Sequence, residues 1–180
     1  MKALVVVDMQ NDFITGVFAN QAAEAIVYKI KEFAEKFNGD LYFTYDTHNP
    51  YFYSTNREGR KLPIHCVPGT WGYELATPLT NLDRIVDEEN MFSKNTFASF
   101  DLAVELNNKL EHDYEEILLC GTCTDICVIS NAIMISNIAN SVEVSVISDL
   151  CAGTTKENHE NALKAMAQCQ INIKTTNDLI

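Results

Sequence analysis

Basic charge is scarce in this sequence of 180 residues. Lysine and arginine together number 13 against 25 aspartate and glutamate residues, so the formal net charge at pH 7 is −12. A nucleic acid or an anionic lipid surface would be repelled by such a chain unless a basic patch compensated, and the sequence has no such patch. We therefore expect neither a nucleic acid nor a membrane among its partners.

Long apolar runs and linker-like tracts are also missing. The apolar runs fall well short of the roughly 20 residues that a bilayer crossing needs. The first residues, Met1 to Asp8, reach an acidic side chain too early for a signal peptide and lack a cleavage site. There is no internal repeat and no stretch rich in Pro, Gly or Ser. These absences predict a single domain over residues 1–180 in the cytoplasm, where the six cysteines are reduced thiols.

What the sequence does contain is an alternation of strand-length apolar runs and helix-period segments. Strands are predicted at 3–7, 41–45, 84–86, 116–120, 142–147 and 171–174, and the main helices at 22–37, 101–112, 125–139 and 156–168. Strands that are apolar on both faces indicate a parallel sheet that is covered on both sides. We therefore predict a Rossmann-like, three-layer α/β/α fold with a mostly parallel, six-stranded sheet and helices on both faces. In such folds the ligand crevice lies at the carboxyl ends of the strands.

Three of these strand ends carry ionisable or nucleophilic side chains. Asp8 follows the first strand, Asp46 and His48 follow the second, and Cys127 opens a helix after a Gly-Thr turn. A cysteine at a helix N-terminus can have a lowered pKa, because unpaired backbone N–H groups and the helix dipole stabilise a thiolate. Asp8 is the available base for this thiol. Lys94 could stabilise the ionised forms of both, although a surface lysine among aromatic residues gives the same pattern.

A second set of polar residues has the composition of a metal site. Asp46 and His48 form an Asp-x-His pattern on an extended segment, so both side chains point to the same face. His65, in the long irregular stretch from Thr47 to about Thr70, adds a second imidazole. One carboxylate with two imidazoles suits a divalent metal ion, Zn²⁺ before Fe²⁺ or Mn²⁺.

Three cysteines leave a different interpretation open. The spacing of Cys120, Cys123 and Cys127 could serve a metal cluster or a thiol-redox sensor that has no hydrolytic activity. Cys120, however, is expected inside a buried strand, and no fourth ligand is near it in the sequence. This interpretation also leaves Asp8 and Lys94 without a role.

Taken in order, these segments resemble the cysteine hydrolases of the isochorismatase-like superfamily, and most closely the nicotinamidases. The resemblance runs along nearly the whole chain. It rests on residues 7–13, Asp46-Thr47-His48, residues 65–72, Lys94 with Phe97, and residues 121–128. Each motif is short, but the ordered set is specific.

The resemblance implies a catalytic triad of Asp8, Lys94 and Cys127, which agrees with the interpretation of the residues themselves. It also implies a cis peptide bond between Thr122 and Cys123. The backbone N–H groups of Cys123 and Cys127 would then form an oxyanion hole. In this arrangement the Cys123 thiol is dispensable.

The resemblance further implies the metal ligands and the lining of the substrate pocket. Asp46, His48 and His65 match the metal ligands of nicotinamidases, and Glu58 matches an additional ligand in one version of the site. The implied pocket residues are Phe13, Leu62 and Phe97. Leu62 is a departure, since many nicotinamidases have an aromatic residue at that position.

The activity that the resemblance implies is hydrolysis of nicotinamide to nicotinate and ammonia through a cysteine thioester, as a step in NAD salvage. The departure at Leu62 leaves a related alternative open, in which the substrate is another small amide or a ureido acid. Relatives are often oligomeric, so a homo-oligomer is a further expectation.

Overall fold

The structure is a computed structural model that describes residues 1–82, 89–109 and 114–179. Its strands are β1 (Lys2–Val7), β2 (Asp40–Asp46), β3 (Met91–Lys94), β4 (Glu116–Thr122), β5 (Glu143–Ala152) and β6 (Asn172–Lys174). Its α-helices are α1 (Asn11–Ile14), α2 (Gln21–Lys36), α3 (Thr77–Thr80), α4 (Phe100–Asn108), α5 (Ile129–Ile138) and α6 (Lys156–Gln168). A π-helical turn, Thr124–Val128, connects β4 to α5.

The described strands form one parallel sheet in the order β3-β2-β1-β4-β5-β6. The chain builds outward from β1 to β3 and then returns to the other side of β1 to continue with β4. Because parallel crossovers are right-handed, α2 and α3 cover one face of the sheet and α4, α5 and α6 cover the other. The predicted three-layer α/β/α fold with six strands and helices on both faces is therefore confirmed.

The core lies around the two central strands. Residues Ala3 to Val7 of β1 are fully buried, which explains the unbroken apolar sequence of that strand. Helix α2 packs against β4 and β5, and Asn20 caps its start by accepting hydrogen bonds from two backbone N–H groups. No helix in the described ranges is long and apolar enough to cross a membrane.

The third strand differs from the prediction. The strand predicted at 84–86 lies outside the described residues, as does the end of the helix predicted at 101–112. The structure forms an edge strand at Met91–Lys94, a segment for which no strand was predicted. Only Lys94 of this strand is buried, so it lacks the continuous apolar run that identifies a central strand. Its position brings Lys94 to the carboxyl edge of the sheet.

Candidate active site and metal centre

The carboxyl ends of the strands meet beside the point where the strand order reverses. Asp8 directly follows β1, Asp46 ends β2, and Lys94 ends β3 in register with Asp46. Cys127 reaches the same place from the other side, in the π-helical turn after β4. All four residues are buried. The fold thus collects at one edge the groups that the sequence analysis placed at separate strand ends.

Lys94 contacts both other members of the predicted triad. Its Nζ lies 2.6 Å from Oδ2 of Asp8 and 3.8 Å from Sγ of Cys127. Thr44 Oγ1 donates a hydrogen bond of 2.6 Å to the other oxygen of Asp8, which leaves Oδ2 facing the ammonium group. The backbone of Asp8 has a left-handed φ of 49°, so the chain turns sharply where β1 ends. The three residues form one buried cluster.

Burial and charge act on this cluster in opposite directions. Burial raises the pKa of Asp8, Lys94 lowers it and Asp46 raises it, with a raised pKa as the result. Burial lowers the pKa of Lys94, but the negative charges of Asp8, Cys127 and Asp46 outweigh burial and raise it overall. Lys94 is therefore a permanent cation, and the Asp8 carboxylate is the group that can exchange a proton.

The Cys127 thiol corrects the expectation of a lowered pKa. Burial raises the pKa of Cys127 well above its usual value, and Lys94 offsets this only in part. The residue lies inside the π-helical turn rather than at its first position, and it is 6% exposed, so lost solvation outweighs the helix terminus. A protonated thiol needs a base beside it. Asp8, which shares the Lys94 ammonium group with this thiol, is the carboxylate placed for that task.

The segment before Cys127 has the backbone geometry that the family resemblance implies. The Thr122–Cys123 peptide bond is cis. The carbonyl of Cys123 accepts hydrogen bonds from the N–H groups of Ile126 at 3.0 Å and Val128 at 3.1 Å, which closes the π-helical turn around Cys127. Burial raises the pKa of the Cys123 thiol to about 11. That thiol is therefore neutral at physiological pH.

The four predicted metal ligands converge next to this cluster. One ligand atom from each of Asp46, His48, Glu58 and His65 lies within 4.8 Å of the others. Oδ2 of Asp46 is 2.9 Å from Nε2 of His48 and 3.0 Å from Nε2 of His65. The two oxygens of Glu58 lie 3.9 Å and 3.7 Å from the same two nitrogens. Glu58 thus belongs to the cluster, as the sequence analysis proposed.

The chemistry of these groups fits a divalent metal ion. Nδ1 of His65 is 2.9 Å from the carbonyl oxygen of Pro63, which can only accept, so Nδ1 carries the proton and Nε2 is left for a metal. Burial raises the pKa of Asp46, but hydrogen bonds with His48 and His65 and the charge of Lys94 lower it overall. An ionised carboxylate, two imidazole nitrogens and the carboxylate of Glu58 suit Zn²⁺, and also Fe²⁺ or Mn²⁺.

A cavity of about 590 Å³ opens onto both groups of residues. It is lined by Cys127, by three of the four candidate metal ligands and by the predicted pocket residues Phe13, Leu62 and Phe97. The sequence analysis missed Phe18, whose ring centroid lies 6.1 Å from that of Phe13 and 4.7 Å from that of His65. The cavity therefore offers aromatic surface for a planar ring next to the candidate metal site.

Two further contacts at the site were not foreseen. The Tyr53 hydroxyl lies 3.3 Å from Nδ1 of His65. Asn131, fully buried in α5, donates hydrogen bonds to the carbonyls of Cys127 at 2.8 Å and Phe97 at 3.1 Å. The only available signal for Asn131 was an amide within an apolar helix, which does not identify its partners.

Comparisons with known proteins match nearly the whole chain in sequence and in fold. Residues 2–178 match the family model of the isochorismatase domain. The nicotinamidase of Saccharomyces cerevisiae is 27% identical over 173 residues, which cover 74% of this chain and 80% of that protein. A structure of the pyrazinamidase/nicotinamidase of Streptococcus mutans has a TM-score of 0.83 at 27% identity and covers 96% of this chain and 99% of that one. The pyrazinamidase of Pyrococcus horikoshii in complex with zinc has a TM-score of 0.77 at 28% identity, with 97% and 98% covered.

Proposed function

This chain belongs to the isochorismatase family, and we propose that it hydrolyses nicotinamide to nicotinate and ammonia through a thioester on Cys127. The observation that carries the proposal is the contact of Lys94 with both Asp8 and Cys127 beside the four candidate metal ligands. The coarser assignment is that the protein is a hydrolase that acts on amides, since its family and its nicotinamidase relatives indicate this class. The proposal adds the substrate and the role of each residue.

In the first half of the reaction, Asp8 takes the proton of the Cys127 thiol and Sγ attacks the amide carbon. The developing negative charge on the amide oxygen is stabilised by the backbone N–H groups of Cys123 and Cys127; losing one such donor typically costs about 3–4 kcal/mol. Asp8 then gives the proton to the amide nitrogen, the C–N bond breaks, and ammonia leaves. The product of this half is a thioester on Cys127.

In the second half, water cleaves the thioester. Asp8 again acts as the base, removing a proton from the water that attacks the same carbon, and the proton returns to the Cys127 sulfur as nicotinate leaves. Lys94 keeps Asp8 ionised before the proton transfer and stabilises the thiolate after it. One carboxylate can serve both halves because its raised pKa lets it hold and release a proton.

The metal centre has a positioning role in this proposal. A divalent ion held by Asp46, His48, His65 and Glu58 would bind the ring nitrogen of nicotinamide and orient the carboxamide toward the nucleophile. The zinc complex of the Pyrococcus horikoshii relative supports zinc as that ion. The aromatic side chains Phe13, Phe18 and Phe97 would pack against the pyridine ring.

The lining of the cavity favours a neutral amide over a ureido acid, the alternative that Leu62 leaves open. A ureido acid carries a carboxylate, which a binding site usually pairs with arginine or lysine. Among the described residues that line this cavity, none is an arginine or a lysine, while Asp46 and Glu58 add negative charge. A carboxylate substrate would therefore need the metal ion as its sole cationic partner within that lining.

The redox-sensor alternative gains no support. Cys120 lies inside β4 and is fully buried. In the described ranges the three cysteines 120, 123 and 127 do not form a metal-ligand group; the group that converges is the one around Asp46. We therefore retain the hydrolase proposal. We further propose that the reaction is a step in NAD salvage and takes place in the cytoplasm.

The experiment that tests the proposal measures ammonia release from nicotinamide by the purified, zinc-loaded protein. Cys127→Ala is expected to abolish turnover while zinc stays bound, because it removes the nucleophile and none of the ligands. Cys123→Ala is the matched control and keeps most of the activity, since only its backbone takes part. Substantial turnover by Cys127→Ala, or inactivity of Cys123→Ala, would reject Cys127 as the nucleophile.

Removal of the metal tests the second part of the proposal. A chelator, or the double change His48→Ala and His65→Ala, should strip the ion and raise KM, since substrate binding loses its anchor. A metal content that is unchanged in the double variant would reject the ligand set. A panel of neutral amides and ureido acids, assayed in the same way, decides between the substrate classes.

A further inference from the structure

We propose that Gln10 and Asp12 are positioning residues for the metal centre. Gln10 lies in the loop that follows β1 and carries Asp8, Asp12 lies in the short helix α1 that comes next, and both act through the backbone of other residues. The inference rests on the proposed metal centre and deepens it, since it states which groups fix the ligands in place. The short segment of residues 8–12 would then set the geometry of the triad base and of the metal ligands together.

Gln10 holds the backbone of Asp46 from both sides. Its Oε1 accepts a hydrogen bond of 2.8 Å from the Asp46 N–H, and its Nε2 donates one of 2.9 Å to the Asp46 carbonyl. Nε2 also donates to the carbonyl of Tyr73 at 2.9 Å. Both donors and the acceptor of the fully buried carboxamide are used, so its orientation is fixed. Gln10 thereby fixes the backbone from which Asp46 points Oδ2 at the two imidazole rings.

Asp12 binds the backbone next to the histidine ligands of the proposed metal centre. Its Oδ2 accepts a hydrogen bond of 2.7 Å from the N–H of Cys66, and its Oδ1 accepts one of 3.2 Å from the N–H of Val17. Cys66 has a φ of 47°, in the left-handed region that a residue with a side chain rarely adopts. The carbonyl of Cys66 in turn accepts a hydrogen bond of 3.1 Å from the N–H of His48. Asp12 thus stabilises the backbone of Cys66, the residue that directly follows His65 and accepts a hydrogen bond from His48.

Two glycines make room for the Asp12 carboxylate. A Cβ atom added at Gly72 would collide with Oδ2 of Asp12, and one added at Gly16 would collide with Oδ1. The carboxylate therefore has a fixed place between these two backbone segments. An alanine at Gly72 would displace it without changing its charge, which provides an independent way to disturb the same contact.

Metal affinity depends on contacts of this kind. Groups that orient the ligands of a metal typically change its affinity by about 10- to 100-fold when they are removed, because the ligand atoms must be held to about 0.5 Å. Gln10 fixes the main chain of Asp46, and Asp12 fixes that of Cys66, which follows His65 and accepts a hydrogen bond from His48. Their loss should therefore weaken metal binding although no ligand is changed.

The test measures Zn²⁺ affinity of the full-length, metal-free protein by competition with a chromophoric chelator, and the visible absorption spectrum of the Co²⁺-loaded protein. Gln10→Ala and Asp12→Asn should weaken Zn²⁺ binding by about 10- to 100-fold and change the Co²⁺ bands. Asn11→Ala is the matched control. Asn11 lies between them and donates to the Trp71 carbonyl at 2.8 Å, and within the described part of the chain its side chain makes no hydrogen bond to a metal ligand or to Cys66. Its Zn²⁺ affinity and Co²⁺ spectrum should equal those of the unaltered protein.

Three outcomes would overturn the inference. Unchanged affinity and spectra in Gln10→Ala and Asp12→Asn would show that the ligands hold their own positions. An equal loss in Asn11→Ala would show general damage to the loop. Failure of the unaltered protein to bind Zn²⁺ or Co²⁺ would reject the proposed metal centre itself, and the inference with it. If Asp12→Asn does not fold, as judged by thermal unfolding without metal, Gly72→Ala takes its place with the same expected loss.

Discussion

The sheet has a buried carboxylate–lysine cluster at each end, and the two clusters differ in the ratio of cations to carboxylates. At the amino ends of the strands, the single carboxylate Glu116 pairs with Lys2 at 2.9 Å and with Lys174. The hydroxyl of Ser145 also donates to Glu116. Two lysine ammonium groups and one hydroxyl therefore stabilise a single carboxylate.

At the carboxyl ends of the strands, the ratio of cations to carboxylates is reversed. Lys94 lies 2.6 Å from Asp8 and 3.5 Å from Asp46, so one cation serves two acids. Burial raises the pKa of Glu116, but bonds with Lys174, Ser145 and Lys2 lower it overall to about 2, whereas the pKa of Asp8 is raised. A fully compensated carboxylate keeps its charge and contributes to stability. A carboxylate that shares its cation can exchange a proton, which is what acid–base chemistry needs.

The largest expected effect in this comparison comes from Asp8→Asn. The change removes the proposed base and should lower kcat by about 10³- to 10⁴-fold. The free energy of unfolding of the metal-free protein should also fall, because the ammonium group of Lys94, which is 2% exposed, loses its 2.6 Å ion pair with Asp8. Ammonia release and urea unfolding measure the two effects. Substantial turnover by Asp8→Asn would contradict the assignment of Asp8 as the base.

Glu116→Gln, at the other end of the sheet, should lower stability without lowering turnover. The variant keeps an acceptor for Ser145 but loses both ion pairs, so the free energy of unfolding should fall. Lys2 and Lys174 are partly exposed, so we expect a loss of about 1–2 kcal/mol rather than the 3–5 kcal/mol of a fully buried pair. The kcat for nicotinamide should not change, because the cluster lies about 20 Å from the site along β4. A lower kcat in a folded Glu116→Gln protein would break the comparison.

The sequence identified the reactive residues at the central strands better than those at the edge. Asp8 and Asp46 come directly after the predicted strands 3–7 and 41–45, so their positions could be predicted from the pattern alone. Lys94 ends a half-buried edge strand that lacks a continuous apolar run, and its place beside Asp8 became clear only with the register of β2 and β3. Glu58 depended on the family resemblance, because a carboxylate seven residues before His65 has no distinguishing pattern of its own.

The supporting contacts could not be predicted, for a physical reason. Gln10 and Asp12 bind backbone groups that are 36 and 54 residues away in the chain. A backbone N–H or carbonyl is the same in every residue, so such a bond leaves no trace at the partner's position in the sequence. The sign of the pKa shift at Cys127 was also out of reach, since it depends on burial by the folded surroundings.

Acid should affect the two clusters with opposite sign. The pKa of Glu116 is lowered from 4.5 to about 2, so its stabilisation is complete above the unfolded pKa and is lost as the pH falls toward 2. The pKa of Asp8 is raised from 3.8, so its unfavourable charge is present at neutral pH and is relieved as the pH falls through the raised value. Urea unfolding of the metal-free protein from neutral pH to about pH 3 measures both effects. The loss of stability caused by Glu116→Gln should therefore shrink in acid, whereas the unaltered protein should gain stability relative to Asp8→Asn as the pH falls.

The smallest expected effects come from removing two hydroxyl groups, that of Thr44, which donates to Asp8, and that of Ser145, which donates to Glu116. Thr44→Val removes the bond of 2.6 Å to Asp8, which lowers the pKa of that carboxyl in the unaltered protein. Since the base must be ionised, the acid limb of the kcat/KM profile should move to higher pH, by about one unit or less. Ser145→Ala removes the corresponding bond to Glu116 and should lower the free energy of unfolding by about 1 kcal/mol without moving the profile. A shift in Ser145→Ala, or none in Thr44→Val, would show that proton exchange at Asp8 does not control the acid limb.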